Sequence, residues 1–256
     1  MKTEAELVAA ANVNFIGSYR KLVEHSPDGA IRERGGVFAF ATGVPISLFN
    51  GCVVAEPATP AELEAGLEWI TLRGLPFLVW IDERNAPGLG DVAIAHGLLR
   101  EPAAYPCMVL HPIPGPPAPP ARVTVVPVTE AGLAEYIGVC VEGGMAPELA
   151  ERLYPPAFAA DPDVQLFTAR LDGRPVGTSV AIRTGEVAGV YAVGTLADAR
   201  RRGVGTAASW AAVGAGSAWG CDTIVLHSSE MAFSLYSAMG FRTVVQYTTF
   251  RQPSAD

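Results

Sequence analysis

The sequence predicts an α/β fold: a mixed β-sheet flanked by helices, present as two such domains in tandem. Three observations carry that prediction. Residues 111–121, HPIPGPPAPPA, hold six prolines, and such a segment forms neither a helix nor a central strand but a stiff, extended spacer. After it, strand-length apolar runs and helical patterns follow in the order β-α-α-β-β-β-α-β-α-β. Strands joined by tight turns and then a β-α-β-α-β run call for antiparallel and parallel pairing in the same sheet. Before the prolines, a worn version of the same order recurs. The expected division is a domain at 1–110, a linker at 111–121 and a second domain at 122–256.

In the first half, residues 14–26 suit a helix, and 35–43 and 48–56 suit strands. Residues 59–74 form a helix announced by Thr59-x-x-Glu62, a capping-box spacing. A strand at 75–82, a helix at 88–97 and a broken strand at 98–110 complete it. In the second half, residues 122–128 read as a strand, 129–144 as a helix with Thr129 in capping position, and 146–159 as a proline-ended helix. Three strands follow at 164–171, 174–184 and 186–196, separated by the hairpin signals Asp172-Gly173 and Thr184-Gly185. An alanine-rich helix over 206–220, a strand at 222–228, a helix at 231–239 and a strand at 242–250 end the order. The two halves close alike, His96-Gly97-Leu98 aligning with Met239-Gly240-Phe241.

The formal charge of −8 and the acidic excess in both halves argue against binding nucleic acid through a positive field. No apolar run is long enough to span a bilayer, and the N-terminal residues are acidic where a secretory leader would be basic, so the expected location is cytoplasmic. Cys52, Cys107, Cys140 and Cys221 lie far apart in apolar company and are expected as buried thiols; neither they nor the scattered histidines have metal-ligand spacing.

Against this background Arg200, Arg201 and Arg202, followed by Gly203-Val204-Gly205-Thr206, stand out. The segment lies between a strand and a helix of small residues. A helix N-terminus offers unpaired N–H groups and a partial positive charge, and glycine admits a ligand close to the backbone. The arrangement suits a small anion such as pyrophosphate.

Arg200-x-x-Gly203-x-Gly205 resembles the R/Q-x-x-G-x-G/A signature of the GNAT acyl-CoA N-acyltransferase superfamily. Downstream, Ser229-x-x-Ala232-x-x-Leu235-Tyr236-x-x-x-Gly240-Phe241 resembles the family's second motif, with serine in place of the usual asparagine. The resemblance covers roughly residues 122–252 and implies a GNAT-type sheet. It implies that the backbone of Val193 and Thr195 pairs with the pantetheine arm of acetyl-CoA and that the N–H groups from Arg201 to Thr206 hold its pyrophosphate. Ser229 is implied as a cofactor contact, with a hydroxyl where the family has an amide. Tyr236 is implied as the general acid that meets the departing thiolate.

The glutamate that several members carry on the strand before the signature is replaced here by Gly189, and Tyr191, His227 and Glu230 are the nearby candidates for a base. The N-terminal half lacks the signature and has Ala93 in the place of Tyr236, so it is expected not to bind acyl-CoA. The resemblance implies direct acetyl transfer to a primary amine in a ternary complex, by a monomer or homodimer without metal. The alternative is an acyl-CoA-binding regulatory or partner protein with little catalysis.

Overall fold

The computed structural model describes residues 2–102, 105–118 and 120–253. The N-terminal half runs α1 (Glu4–Glu24), β1 (Ala30–Arg34), β2 (Val37–Ala41), β3 (Asn50–Val54), α2 (Pro60–Thr71), β4 (Leu78–Ile81), α3 (Leu89–Ala95), β5 (Leu99–Arg100) and β6 (Tyr105–Leu110). After the proline-rich segment come β7 (Val123–Pro127), α4 (Leu133–Glu142), α5 (Pro147–Leu153), α6 (Pro156–Ala159), β8 (Val164–Leu171), β9 (Arg174–Thr184) and β10 (Val187–Thr195). The chain ends with α7 (Val204–Ala218), β11 (Thr223–His227), α8 (Phe233–Ala238) and β12 (Arg242–Arg251).

Most elements lie where the sequence puts them, and the exceptions have physical reasons. The first helix starts ten residues before the expected Asn14, because the small residues ahead of it are good helix formers. The strand β1, AIRER, was not expected; it is a charged edge strand, which blunts further pairing and hides the apolar alternation. The second hairpin turns at Gly185-Glu186, one residue later than expected, since Thr184 still pairs with Val187. Pro155 and Pro156 break the expected helix over 146–159 into α5 and α6.

The chain forms two compact units whose limits differ from the expected boundaries at both ends. One unit takes the chain through Ser18, Met108–His227 and Ala232–Arg242; the other takes Tyr19–Cys107, Ser228–Met231 and the chain from Thr243 onward. In the first, strands follow the order β6-β11-β10-β9-β8-β7, with β10 and β11 parallel and β7 to β10 antiparallel. In the second, the order is β1-β2-β3-β4-β12, with β3 and β4 parallel and the others antiparallel. Both sheets are mixed and carry helices.

Each unit contains an antiparallel strand pair, a helix, a parallel strand and a short helix in sequence order. The short helices end in the same way: the Leu98 N–H donates to the Ala93 carbonyl at 3.1 Å, and the Phe241 N–H to the Tyr236 carbonyl at 3.0 Å. Gly97 (φ +82°) and Gly240 (φ +96°) take the left-handed position that this helix ending requires. The strand β6, last of the N-terminal half, lies beside β11, and β12, which follows α8, lies beside β4. Each sheet is thus completed by a strand from the other half of the sequence, which explains why the unit limits cross the expected boundaries.

In the second unit, Leu63, Leu67 and Ile70 of α2 and Leu89 and Ala93 of α3 pack on Val37, Cys52, Val79 and Phe250. In the first, α7 presents Ala208, Ala212 and Val213 to the sheet. Its small side chains let it lie close: a Cβ added at Gly216 would stand 2.7 Å from Ala188 Cβ. All four cysteines are free thiols, and burial pushes Cys52 up to about 12 and Cys140 up to about 11. Among the described residues, no helix is long and apolar enough to cross a membrane.

Candidate functional site

The arginine–glycine segment forms the turn between β10 and α7. Arg201 (φ +57°) and Gly203 (φ +82°) both take left-handed conformations and turn the chain into the helix. The first helical bond runs from the Ala207 N–H to the Gly203 carbonyl. The N–H groups of the preceding residues therefore face outward at the helix start. Gly203 supplies no capping side chain, and no acidic residue occupies the first turn to repel an anion. At Gly205 the helix approaches β10, and an added Cβ would lie 3.4 Å from Thr195 Oγ1.

The three arginines are all exposed but differ in their engagements. Arg200 donates through Nε to the Thr195 carbonyl at 3.2 Å and so holds its own loop. Arg202 lies 3.8 Å from Asp172, whose carboxylate also accepts Arg122 Nε at 2.6 Å. Arg201 forms no ion pair with another described residue. It is the arginine free to meet a ligand.

Upstream, β10 parts from β11. Their parallel pairing ends at Gly189↔Val225, whereas β10 stays paired with β9 to Thr195↔Gly177 across an irregularity between Tyr191 and Gly194. Ala192 sits in that bulge at φ +49°, an uncommon conformation for a residue with a Cβ. The Thr178 hydroxyl holds it there by donating to the Ala192 carbonyl at 2.9 Å. Beyond the bulge, the backbone of Val193 and Thr195 has an edge that β11 does not use. Both side chains are half-buried.

A cavity of about 470 Å³ lies between α7 and α8, lined by Thr206, Trp210, Ser234, Leu235, Ala238 and Met239. Tyr236, on α8, is 6% exposed and sets its ring edge-on to Phe241 at 5.9 Å. Burial raises its phenol above the usual value, with the Ser209 hydroxyl acting in the opposite sense, so the group is protonated at neutral pH. Ser229 is exposed, in the 228–231 segment of the second unit.

The candidate bases fare differently. A Cβ at Gly189 would lie 2.1 Å from Asn14 Oδ1 and 2.3 Å from the Tyr191 ring, so no glutamate fits. Asn14, on α1, donates to the Ile182 carbonyl at 3.0 Å and accepts from the Tyr191 hydroxyl at 2.7 Å. Tyr191 is thereby tied into the structure. Gly189→Glu is expected to cost about 1–3 kcal/mol through overpacking and to bring no gain in acyl transfer; a thermal melt and a rate measurement check both.

His227 is half-buried, its ring centroid 3.9 Å from that of Phe15 and both ring nitrogens out of solvent, and this desolvation lowers its pKa to about 3. It is neutral at physiological pH and a weak base. Below about pH 6.5 the unfolded imidazole takes up a proton that the folded one refuses until about pH 3, so stability falls as pH drops through that window. His227→Phe is expected to flatten this acid-side loss, read as urea midpoints at pH 7 and pH 4.5. Glu230 is exposed, in a short 3₁₀ turn.

Asn14 and Thr178 were not singled out by sequence. Asn14 is buried on α1 together with Asn12 and Ser18, so its polarity alone does not mark it, and its acceptors lie more than 160 residues away. In the N-terminal half the turn between β3 and α2 is closed: Glu62 accepts the Thr59 N–H at 2.8 Å, completing the expected capping box. A carboxylate thus stands at the helix start that remains bare on α7.

Comparison with known proteins bears on the fold. The family model described as Acetyltransferase (GNAT) family matches residues 138–241. No curated protein matches by sequence. Among solved structures, a GCN5-related N-acetyltransferase from Kribbella flavida is similar at 24% identity, with a TM-score of 0.71 over 95% of this chain and 96% of that one. A tandem GNAT protein from the clavulanic acid biosynthesis pathway is similar at 14% identity, with a TM-score of 0.62 over 98% and 97%. A functionally unknown conserved protein from Staphylococcus epidermidis shares 13% identity and a TM-score of 0.64 over 89% and 95%. The fold supports acyl transfer from acyl-CoA to an amine in general. Its motifs, its mixed sheets and the family match over residues 138–241 support a GNAT acetyltransferase domain within this chain.

Proposed function

We propose that the protein is an N-acetyltransferase that moves an acetyl group from acetyl-CoA directly to a primary amine within a ternary complex. The observation that carries this reading is the bare N-terminus of α7, free of any acidic side chain, beside a cavity shared with the helix that bears Tyr236. The outward N–H groups from Arg201 to Thr206 would bind the pyrophosphate, with Arg201 adding charge and Arg200 and Arg202 steadying the turn. The edge of β10 at Val193 and Thr195 would pair with the pantetheine arm.

The donor supplies an activated thioester. The amine lone pair forms the new N–C bond as the C–S bond breaks, and Tyr236 gives its proton to the departing sulfur. The amine loses its own proton to solvent, a route favoured by the absence of a carboxylate at Gly189. The capping box of α2 and Ala93 in the tyrosine position argue that the N-terminal half does not bind the donor.

Calorimetric titration with acetyl-CoA, followed by thiol release with a panel of amines, tests the proposal. One site per chain and amine-dependent release are expected. Two sites would overturn the reading of the N-terminal half, and no binding would overturn the whole. Saturable binding without release would favour the second reading, an acyl-CoA-binding regulatory protein, for which the missing strand glutamate speaks.

A further inference from the structure

The proline-rich segment is expected from sequence to be a spacer. It is built into the first unit instead. Ile113 packs against the core beneath α7 and α8, and His111 Nδ1 lies 2.9 Å from the Asp222 carbonyl. At the other end, the Val123 N–H donates to the Pro120 carbonyl and the Asp172 N–H to the Arg122 carbonyl, both at 2.9 Å. Between these anchors Pro117 lines the cavity that Thr206 and Trp210 of α7 share with α8.

Pro120 also lies against the anion turn. A Cβ added at Gly203 would stand 2.6 Å from Pro120 Cγ, so the glycine serves the close approach of the linker as well as the left-handed turn. A second tie runs through charge, since Asp172 takes Arg122, the residue that follows the linker, and faces Arg202 of the turn. Pro120 thus stands against the Arg200–Thr206 turn and Pro117 against the cavity beside it.

We propose that Pro117 and Pro120 form the outer wall of the coenzyme A site and contact its adenosine 3′,5′-bisphosphate end. This rests on the acyl-CoA reading above. Pro120 lies against Gly203 of the turn that would hold the pyrophosphate, and Pro117 shares its cavity with Thr206 of the same turn, so the nucleotide joined to that pyrophosphate would meet both prolines. Proline suits such a wall: its ring offers an apolar face, it has no N–H to leave unpaired, and its fixed φ leaves little freedom to lose on binding.

The test uses the full chain with coenzyme A, adenosine 3′,5′-bisphosphate and pantetheine as probes. The double variant Pro117→Gly/Pro120→Gly is expected to bind coenzyme A and the bisphosphate about tenfold more weakly, with pantetheine affinity unchanged, because a preorganised wall becomes mobile. Unchanged or tighter binding of coenzyme A overturns the proposal, as does an equal loss for pantetheine. A measurement independent of the double variant is fluorescence quenching of the unaltered chain by the bisphosphate, expected to disappear in Trp210→Phe. Quenching that persists in that variant also counts against it. If the unaltered chain binds no coenzyme A, the acyl-CoA reading itself fails, an outcome distinct from the loss of linker dependence alone.

Discussion

Tyr236→Phe is expected to lower the rate of amine-dependent thiol release by about 10²-fold, the lower end of what a positioned acid contributes. Acetyl-CoA affinity should stay within about threefold, because the hydroxyl acts on sulfur as charge develops and contributes little to ground-state binding. The ring keeps its edge-on contact with Phe241, so the fold should survive. The pH profile adds a second readout. The phenol is raised above its usual value by burial and is protonated from acid through neutral pH. Its deprotonation gives a falling alkaline limb in the unaltered protein, and that limb should vanish in the variant. A thiol-release assay across pH 7–11 with calorimetry at pH 7 measures both. Equal rates for the two proteins would remove Tyr236 from the chemistry.

Gly205→Asp is expected to separate binding from stability, with opposite signs. Space is available, since an added Cβ meets Thr195 Oγ1 at 3.4 Å and Leu235 Cδ1 at 3.7 Å. A carboxylate in the first turn of a helix favours the helix by about 0.3–1 kcal/mol, and removing a helical glycine helps further. The melting temperature should therefore hold or rise. The same carboxylate would stand beside the proposed pyrophosphate, where like charges a few ångströms apart repel by several kcal/mol at an effective dielectric of about 20. Acetyl-CoA affinity should fall by about 10²-fold or more, while Gly205→Ala should bind nearly as the unaltered chain does. Calorimetry and thermal melts on the two variants check the pair. Undiminished affinity in Gly205→Asp would move the phosphates away from this turn.

Much of this was legible in the sequence because it is local. The order of elements follows from apolar periodicity, and the Asp172-Gly173 hairpin follows from residues that tolerate left-handed backbone. The capping box at Thr59 and Glu62 spans one helical turn. The turn from Arg200 to Thr206 is likewise local, since its glycines, its lack of acidic residues and its place before a small-residue helix are all chain-adjacent properties. Tyr236 was singled out by the motif it resembles. Its burial against Phe241 came only with the fold.

What the tertiary structure alone decided concerns partners far apart in the chain. A strand pattern says that a segment pairs, not which edge it fills, so the exchange of final strands between the halves could not be read. The same limit hid Asn14 filling the space above Gly189, which makes the missing glutamate a steric necessity. It hid Thr178 holding the Ala192 bulge and Pro120 lying against Gly203. Backbone conformation and capping are set by interactions within a few residues, and sequence records them directly. Contacts between distant segments are set by which surfaces fit once the chain has collapsed, and that selection exists only in three dimensions.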